Sequence, residues 1–160
     1  LDVPGASETR VEGVNDAGVI VGSFITGREG HGFVGIPRSP VDVTINGADG
    51  PVTIDPGQPL QVHLQFTAPP DGALNPAEVY IGVVSPIGLL WLDPATGTFV
   101  PTPTLTFAGE LPSFGPLPLV DLPNGAALPS GTWTWFMIVD DDANGTIEGA
   151  FYDVAQMIVP

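Results

Sequence analysis

The segment that decides the fold is Gln58–Ala68, which reads Gln-Pro-Leu-Gln-Val-His-Leu-Gln-Phe-Thr-Ala. Large apolar residues occupy every second position from Leu60 to Phe66, and polar residues occupy the positions between them. Side chains two residues apart share one face of a β-strand, whereas an α-helix repeats about every 3.6 residues. The segment is therefore predicted to be a strand with one buried face.

Similar alternation and short apolar runs recur along the chain, separated by turn pairs such as Asn46-Gly47. Further strands are predicted at Val41–Ile45, Val52–Ile54, Ala77–Ser85, Gly88–Asp93, Leu117–Leu122, within Thr132–Asn144, and at Phe151–Val159. The last of these also fits a helical stripe, and context favours the strand. Seven or more short strands at this spacing predict an all-β fold, an antiparallel β-sandwich.

The composition excludes several classes of function. The 160 residues include three arginines, no lysine and 18 acidic residues, which give a net charge of −15. Nucleic acid is not an expected partner because phosphate binding needs Lys or Arg, and an anionic membrane would repel the chain. Without cysteine there is no disulfide or zinc–thiolate site, and without lysine there is no Schiff-base chemistry.

The same composition bears on localisation. The chain holds no apolar run of the roughly 18–20 residues that a membrane span needs, so membrane insertion is not expected. An acidic chain without Cys or Lys, rich in Thr and Pro, is typical of a mature prokaryotic protein at the cell surface or outside the cell. Its signal peptide would have been removed.

The chain is predicted to contain two domains, residues 1–37 and residues 38–160, because a Gly-rich block ends near Ile36–Pro40. A second irregular stretch, Pro94–Pro116, is rich in Pro and Thr but too apolar for a free linker. It is predicted to be an extended loop or edge strand lying on the sandwich.

The N-terminal block resembles one unit of the HAF repeat of secreted bacterial proteins. The resemblance rests on Asp2–Ser7, Thr9, Gly13–Phe24 and His31–Val34, and it covers nearly all of the first 36 residues. This family implies secretion and β structure but no known reaction. Its members usually carry tandem copies, whereas this chain carries one.

Residues 41–160 are similar to immunoglobulin-like modules of bacterial secreted proteins. The matching residues are Val41–Thr44, Gly57 with Leu60–Val62, and Leu128–Trp135 running into Val139-Asp140. Such modules are usually structural spacers or adhesive units rather than enzymes. The resemblance implies an immunoglobulin-like antiparallel β-sandwich preceded by an N-terminal β-hairpin or strand arm.

A single repeat of about 36 residues cannot bury its own apolar face, since repeat arrays normally need at least about three units for a continuous core. The apolar residues of the arm must therefore pack on something else. One possibility is the sandwich of the same chain. The other is a neighbouring copy, joined by strand addition at a sheet edge.

The sharpest local motif is an acidic loop that matches nine positions of a calcium-binding loop. Its predicted Ca²⁺ ligands are Asp140, Asp142, Asn144, the Thr146 carbonyl and Glu148. Gly145 permits the sharp turn that lets such oxygens converge. Phe151 stands where an EF-hand has its bidentate acid, so the loop is not an EF-hand. The alternatives are a solvated acidic hairpin and a glycosylation sequon at Asn144–Thr146.

Aromatic and histidine residues offer two further candidate sites. Trp91, Trp133 and Trp135 could stack on sugars, but the last two fall on the apolar face of their strand and are predicted to be core. Trp91 is the one expected to be exposed. His31 and His63 lie in no recognisable nucleophile–base–acid pattern, and no Gly-x-Ser-x-Gly elbow is present, so no catalytic residue is predicted.

These observations predict a secreted, non-enzymatic structural protein that self-associates through its N-terminal arm. The most concrete form of this hypothesis is an extracellular filament or surface-appendage subunit, with the chain itself as the partner. The alternative is a calcium-dependent carbohydrate-binding module for cell adhesion, with surface glycans as partners.

Overall fold

A computed structural model describes residues 3–15, 19–35, 39–69, 73–123, 128–147 and 151–160. All the regular secondary structure within these ranges is β-strand, which confirms the predicted all-β class. The chain divides into two compact units, Leu1–Arg38 and Ser39–Pro160. The predicted boundary follows residue 37, and residues 36–38 lie outside the described ranges. The described ranges contain no helix of the length and apolarity that crossing a membrane requires.

The N-terminal unit is a three-stranded antiparallel sheet. Its strands are β1 (Glu8–Val14), β2 (Ile20–Thr26) and β3 (Glu29–Gly35), in the order β1-β2-β3. The two residues Gly27 and Arg28 form the turn between β2 and β3, and Gly27 takes a φ of 66°, a conformation that favours glycine. Gly22 is the only described residue of this unit that is buried. The described residues of this unit therefore build no hydrophobic core of their own.

The C-terminal unit contains two sheets. Its strands are β4 (Val41–Ile45), β5 (Val52–Thr53), β6 (Leu60–Phe66), β7 (Leu74–Ser85), β8 (Gly88–Asp93), β9 (Thr98–Val100), β10 (Phe107–Leu111), β11 (Phe114–Leu122), β12 (Gly131–Asp140) and β13 (Phe151–Val159). The larger sheet has the order β5-β13-β12-β7-β8-β9, and β10 also pairs with β7. The smaller sheet has the order β11-β6-β4.

One hydrophobic core lies between the two sheets, as a sandwich requires. The smaller sheet contributes alternate residues from Leu60 to Phe66, all of which are buried, so the prediction from Gln58–Ala68 is confirmed. The larger sheet contributes alternate residues from Trp133 to Val139, again as predicted. Period-two alternation thus identifies the inward faces of β6 and β12.

Three features of the strands refine the predictions. The stretch Pro94–Pro116 contains β9 and β10 and the start of β11, so it is more regular than an extended loop. Phe151–Val159 is a strand as predicted, since it pairs with β12 along its whole length. The short β5 runs parallel to β13, which departs from the purely antiparallel arrangement predicted.

Candidate functional site

The predicted calcium loop begins where β12 ends. The Asp140 side chain is only 1% exposed, and its Oδ1 accepts a hydrogen bond from the Asp142 backbone N–H at 3.2 Å. Farther along, the Asn144 Oδ1 accepts one from the Thr146 N–H at 2.7 Å. Glu148 lies outside the described residues. The part of the chain that the structure describes holds no group of three His, Cys, Asp or Glu side chains that could bind a metal. The calcium site remains a prediction.

Beside this loop, two buried acids lie next to a buried tyrosine. Asp140 is directly opposite Glu78 where β12 pairs with β7. Tyr80 lies two residues after Glu78 on β7, on the same face of the sheet. The Tyr80 hydroxyl donates a hydrogen bond to the Glu78 carboxylate at 2.9 Å. Burial raises the pKa of Tyr80 to about 12, and the hydrogen bond to Glu78 and the charges of Glu78 and Asp140 act in the same direction.

All three tryptophans are buried. Trp133 and Trp135 lie in the core as predicted, and the Trp133 ring N–H donates to the Pro129 carbonyl at 3.0 Å. The prediction that Trp91 is exposed is wrong, because it is 7% exposed and packs edge-to-face on Phe136 with ring centroids 5.2 Å apart. Stacking on a sugar needs an exposed ring face, and none of the three indoles offers one.

The two histidines lie in different units. His31, on β3, stacks on Phe24 with ring centroids 5.0 Å apart, and its Nε2 is 3.9 Å from the Glu29 carboxylate. His63 lies on β6 opposite Thr44, between the inward-facing residues of that strand.

The outer face of the larger sheet carries an apolar groove of about 530 Å³, here called the outer groove. Its walls include Val84, Leu89, Phe136, Ile138, Tyr152 and Val154, with Trp91 beneath them. None of the described residues that line it is charged. The ring nitrogen of Trp91 is buried there and has no hydrogen-bond partner among the described residues. An apolar groove of this kind is a candidate interaction site.

Sequence reasoning missed the outer groove, although β12 carried a signal for it. Phe136 and Ile138 stand between the inward-facing residues of β12, so this strand is apolar on both faces. A strand with one solvated face normally alternates between apolar and polar residues. An apolar run on the outward face therefore indicates a second surface that needs covering.

The edge strands of the C-terminal unit are poor templates for strand addition. The terminal strands of the larger sheet are β5 and β9, which have two and three residues, and β5 pairs with only Met157 and Ile158 of β13. β10 carries a register shift between Gly109 and Leu111, and β11 contains Pro116 and Pro118, which have no N–H to donate. Short strands, bulges and prolines are the devices that prevent edge-to-edge association.

The remaining edge, β4, has its outward backbone donors satisfied within the unit. The Val43 N–H donates to the Asp153 carboxylate at 2.8 Å. The N–H groups of its two end residues are also bonded: Val41 donates to the Ser39 hydroxyl at 3.2 Å, and Ile45 donates to the Ala48 carbonyl at 2.8 Å. Another chain would find no free donor on this strand.

In contrast, β3 is an open edge. Its seven residues contain no proline and pair with β2 in unbroken register, whereas β1 has a register shift between Val11 and Gly13. In a hairpin with a two-residue turn, every second residue directs its N–H and C=O away from the partner strand. On β3 these residues are Gly30, Gly32 and Val34. They form a ladder that a further strand can join, and β3 is called the open edge below.

Comparison with known proteins gives no independent guide to function, since no protein-family model and no curated protein matches the chain. The HAF-repeat and immunoglobulin-like resemblances therefore stay predictions.

Proposed function

We propose that this chain is a non-enzymatic structural protein of the cell exterior that self-associates through its N-terminal unit, as the subunit of a filament or surface appendage. The observation that carries the proposal is the contrast between the open edge and the blocked edges of the C-terminal unit. Proteins normally blunt long strand edges, so an unblunted edge of seven residues is available for pairing.

Burial supports the same proposal. None of the described large apolar residues of the N-terminal unit is buried, and Val14 and Val34 are among the most exposed. A three-stranded sheet needs a buried face for independent stability. Edge pairing would supply ladder hydrogen bonds that each contribute about 0.5–1.5 kcal/mol, and a contact on a face of the sheet would supply the burial.

The charge distribution favours contacts made by the N-terminal unit. This unit has three arginines and five acids, a net charge of −2, whereas the C-terminal unit has 13 acids and no arginine or lysine, a net charge of −13. Contacts between two C-terminal units would bring two strongly acidic surfaces together. Added salt should promote assembly because it screens the remaining repulsion.

Antiparallel pairing of two open edges is isologous, since the same strand is used by both copies. Such a contact closes as a two-fold dimer. A filament needs a second, different contact, and the chain must supply it from another surface.

The test is a charge placed on the open edge. Val34→Lys should prevent pairing, because a lysine on an edge strand opposes the approach of another strand. Leu117→Lys is the matched control, as it makes the same charge change at an exposed apolar residue on β11; Val34 is 66% exposed and Leu117 is 53% exposed. Sedimentation velocity at low and high NaCl would measure assembly. A parent protein that stays monomeric at high concentration and high salt would contradict the proposal.

A further inference from the structure

We infer that the outer groove receives the N-terminal unit of a second copy of this chain, which lays its apolar face into the groove. The inference rests on the proposed function and supplies the second contact that a filament needs. Pairing of open edges covers the backbone of β3 but leaves both faces of the N-terminal sheet uncovered.

The inserting surface is one face of the N-terminal sheet, here called the apolar face. Residues paired directly across strands share a face, so the register defines its members. They are Val11, Val14, Ile20, Phe24 and Phe33, with Thr9, His31 and several glycines. Glu29, at the turn end, is the one carboxylate on this face among the described residues. The opposite face carries Val21, Ile25 and Val34 together with the charged residues Glu8, Arg10 and Glu12, so it is the more charged of the two faces.

The aromatic residues of this face are already ordered by their neighbours. A Cβ atom on Gly22 would lie 2.7 Å from ring atoms of Phe33, which shows that the ring lies over the glycine. The Phe24 ring stacks on His31, and its centroid is 6.5 Å from that of Phe33. Side chains held in this way lose little rotamer freedom on binding, which lowers the entropic cost of association.

The net charges of the two units favour the N-terminal unit of the second copy, rather than its outer groove, as the occupant of the outer groove. Two grooves facing each other would join two units of charge −13, whereas the N-terminal unit has a net charge of −2 and contains all three arginines. The acidic loop that precedes Ile147, a residue of the groove wall, contains Asp141 and Asp142. Arg28 is exposed at the β2–β3 turn and complements these acids.

The groove contact differs in kind from edge pairing. It joins different surfaces on the two copies, so it is heterologous and does not need to close. Alternation of edge pairs and groove contacts would build an open polymer from one type of chain.

Cysteine crosslinking tests the contact directly, because the chain contains no cysteine of its own. A Val14→Cys chain is mixed with a mass-tagged Val154→Cys chain and mildly oxidised. We expect a disulfide between the two chains. The controls are Val34→Cys with Val154→Cys, which uses the opposite face of the N-terminal sheet, and Val14→Cys with Leu117→Cys, which uses the smaller sheet. Each control pair should crosslink less than Val14→Cys with Val154→Cys.

Val154→Glu gives a second readout that needs no crosslink. A carboxylate in the groove should oppose binding of the apolar face and stop growth at the edge-paired dimer, and Leu89→Glu should do the same if the first variant folds poorly. If Val154→Glu assembles as well as the parent and no disulfide forms between Val14→Cys and Val154→Cys chains, the groove contact is overturned. Edge pairing would still stand. A disulfide formed within single chains of a Val14→Cys/Val154→Cys double variant would overturn the second-copy assignment. A monomeric parent protein would overturn both proposals.

Discussion

Asp140 on β12 lies directly opposite Glu78 on β7, and both carboxyl groups are buried on the outer face of the larger sheet. Like charges placed directly opposite each other destabilise a sheet. The Tyr80 hydroxyl, which donates to Glu78 at 2.9 Å, offsets part of this cost. Tyr80 and Glu78 therefore form a small buried hydrogen-bond network beside Asp140, and Tyr80 itself faces Ile138 of the groove wall.

Removing this hydroxyl should destabilise the C-terminal unit. Tyr80→Phe leaves Glu78 without its donor, and a buried acceptor that loses its partner costs about 1–3 kcal/mol. Chemical denaturation at neutral pH would measure the loss. Tyr152→Phe is the matched control, because it removes a hydroxyl from an exposed tyrosine. Equal stability of Tyr80→Phe and the parent would contradict the network's role.

The pH dependence of stability gives a second check on Tyr80. Its pKa is raised to about 12 in the folded protein, against a usual value of about 10. As the pH rises, the unfolded chain therefore loses the Tyr80 proton before the folded protein does. The contribution of Tyr80 to the free energy of unfolding is complete below about pH 10 and is lost as the pH rises toward 12. Thermal unfolding across this range should show a steeper alkaline loss for the parent than for Tyr80→Phe.

A second prediction concerns the close packing beneath the outer groove. A Cβ atom on Gly82 would lie 2.4 Å from the Phe136 ring and 2.7 Å from the Leu90 carbonyl oxygen. Gly82→Ala should therefore push Phe136 away from Trp91 and cost about 1–3 kcal/mol, the range typical of overpacking. The tryptophan emission should shift at the same time.

The control for Gly82→Ala is Gly30→Ala, where no heavy atom lies within 4 Å of the added Cβ. This change should alter stability by no more than about 0.5 kcal/mol. If Gly82→Ala has the same melting temperature as the parent, then Phe136 has room to move and the packing argument is wrong.

Calcium binding at the acidic loop is the third prediction. Excess Ca²⁺ should raise the melting temperature, because a ligand that binds only the folded state stabilises it by about 2.7 kcal/mol at one hundred times its dissociation constant. Asp142→Asn should reduce the effect, whereas Asp141→Asn, outside the predicted ligand set, should leave it. The ionic strength must be matched, since the neighbouring acids repel one another without calcium. Identical melting in Ca²⁺ and in chelator would exclude the site.

Alternation in the sequence was enough to find the core because a strand has only two faces. Leu60, Val62 and Leu64 have polar neighbours, so their common face could be identified without the structure. β12 shows where this reasoning ends. The residues predicted as core do face inward, but the outward face is apolar too, and the pattern does not tell an apolar face that is simply solvated from one that forms a groove. That distinction depends on long-range packing.

Trp91 shows a related limit. It stands in the run Leu89–Leu92, where every residue is apolar and alternation gives no face. The register of β7 and β8 places Trp91 opposite Gly82, and the missing side chain there leaves room for the indole beside Phe136. Burial of Trp91 thus follows from a glycine on another strand, which only the pairing of the strands reveals. The open edge was hidden for the same reason, since strand order cannot be inferred from alternation.

The last prediction concerns removal of the N-terminal unit. Among the described residues, the core of the C-terminal unit is built from residues of that unit alone, so deletion of residues 1–38 should leave a folded sandwich. The shortened chain should also be monomeric, because it lacks the open edge and the apolar face, and its own edges are short, interrupted or already hydrogen-bonded. Circular dichroism and thermal melting would establish its fold, and sedimentation velocity at high salt would establish its size.

Two results of this deletion would count against the assembly described above. If the shortened chain polymerises as well as the parent, then the C-terminal unit carries the assembly contacts. If it unfolds, the N-terminal unit stabilises the sandwich of its own chain, and its apolar residues need no second copy. Val34→Lys tests edge pairing without removing the N-terminal unit, because it changes the open edge and leaves the apolar face in place. A folded, monomeric deletion variant together with a Val34→Lys chain that fails to pair is the combination that we expect.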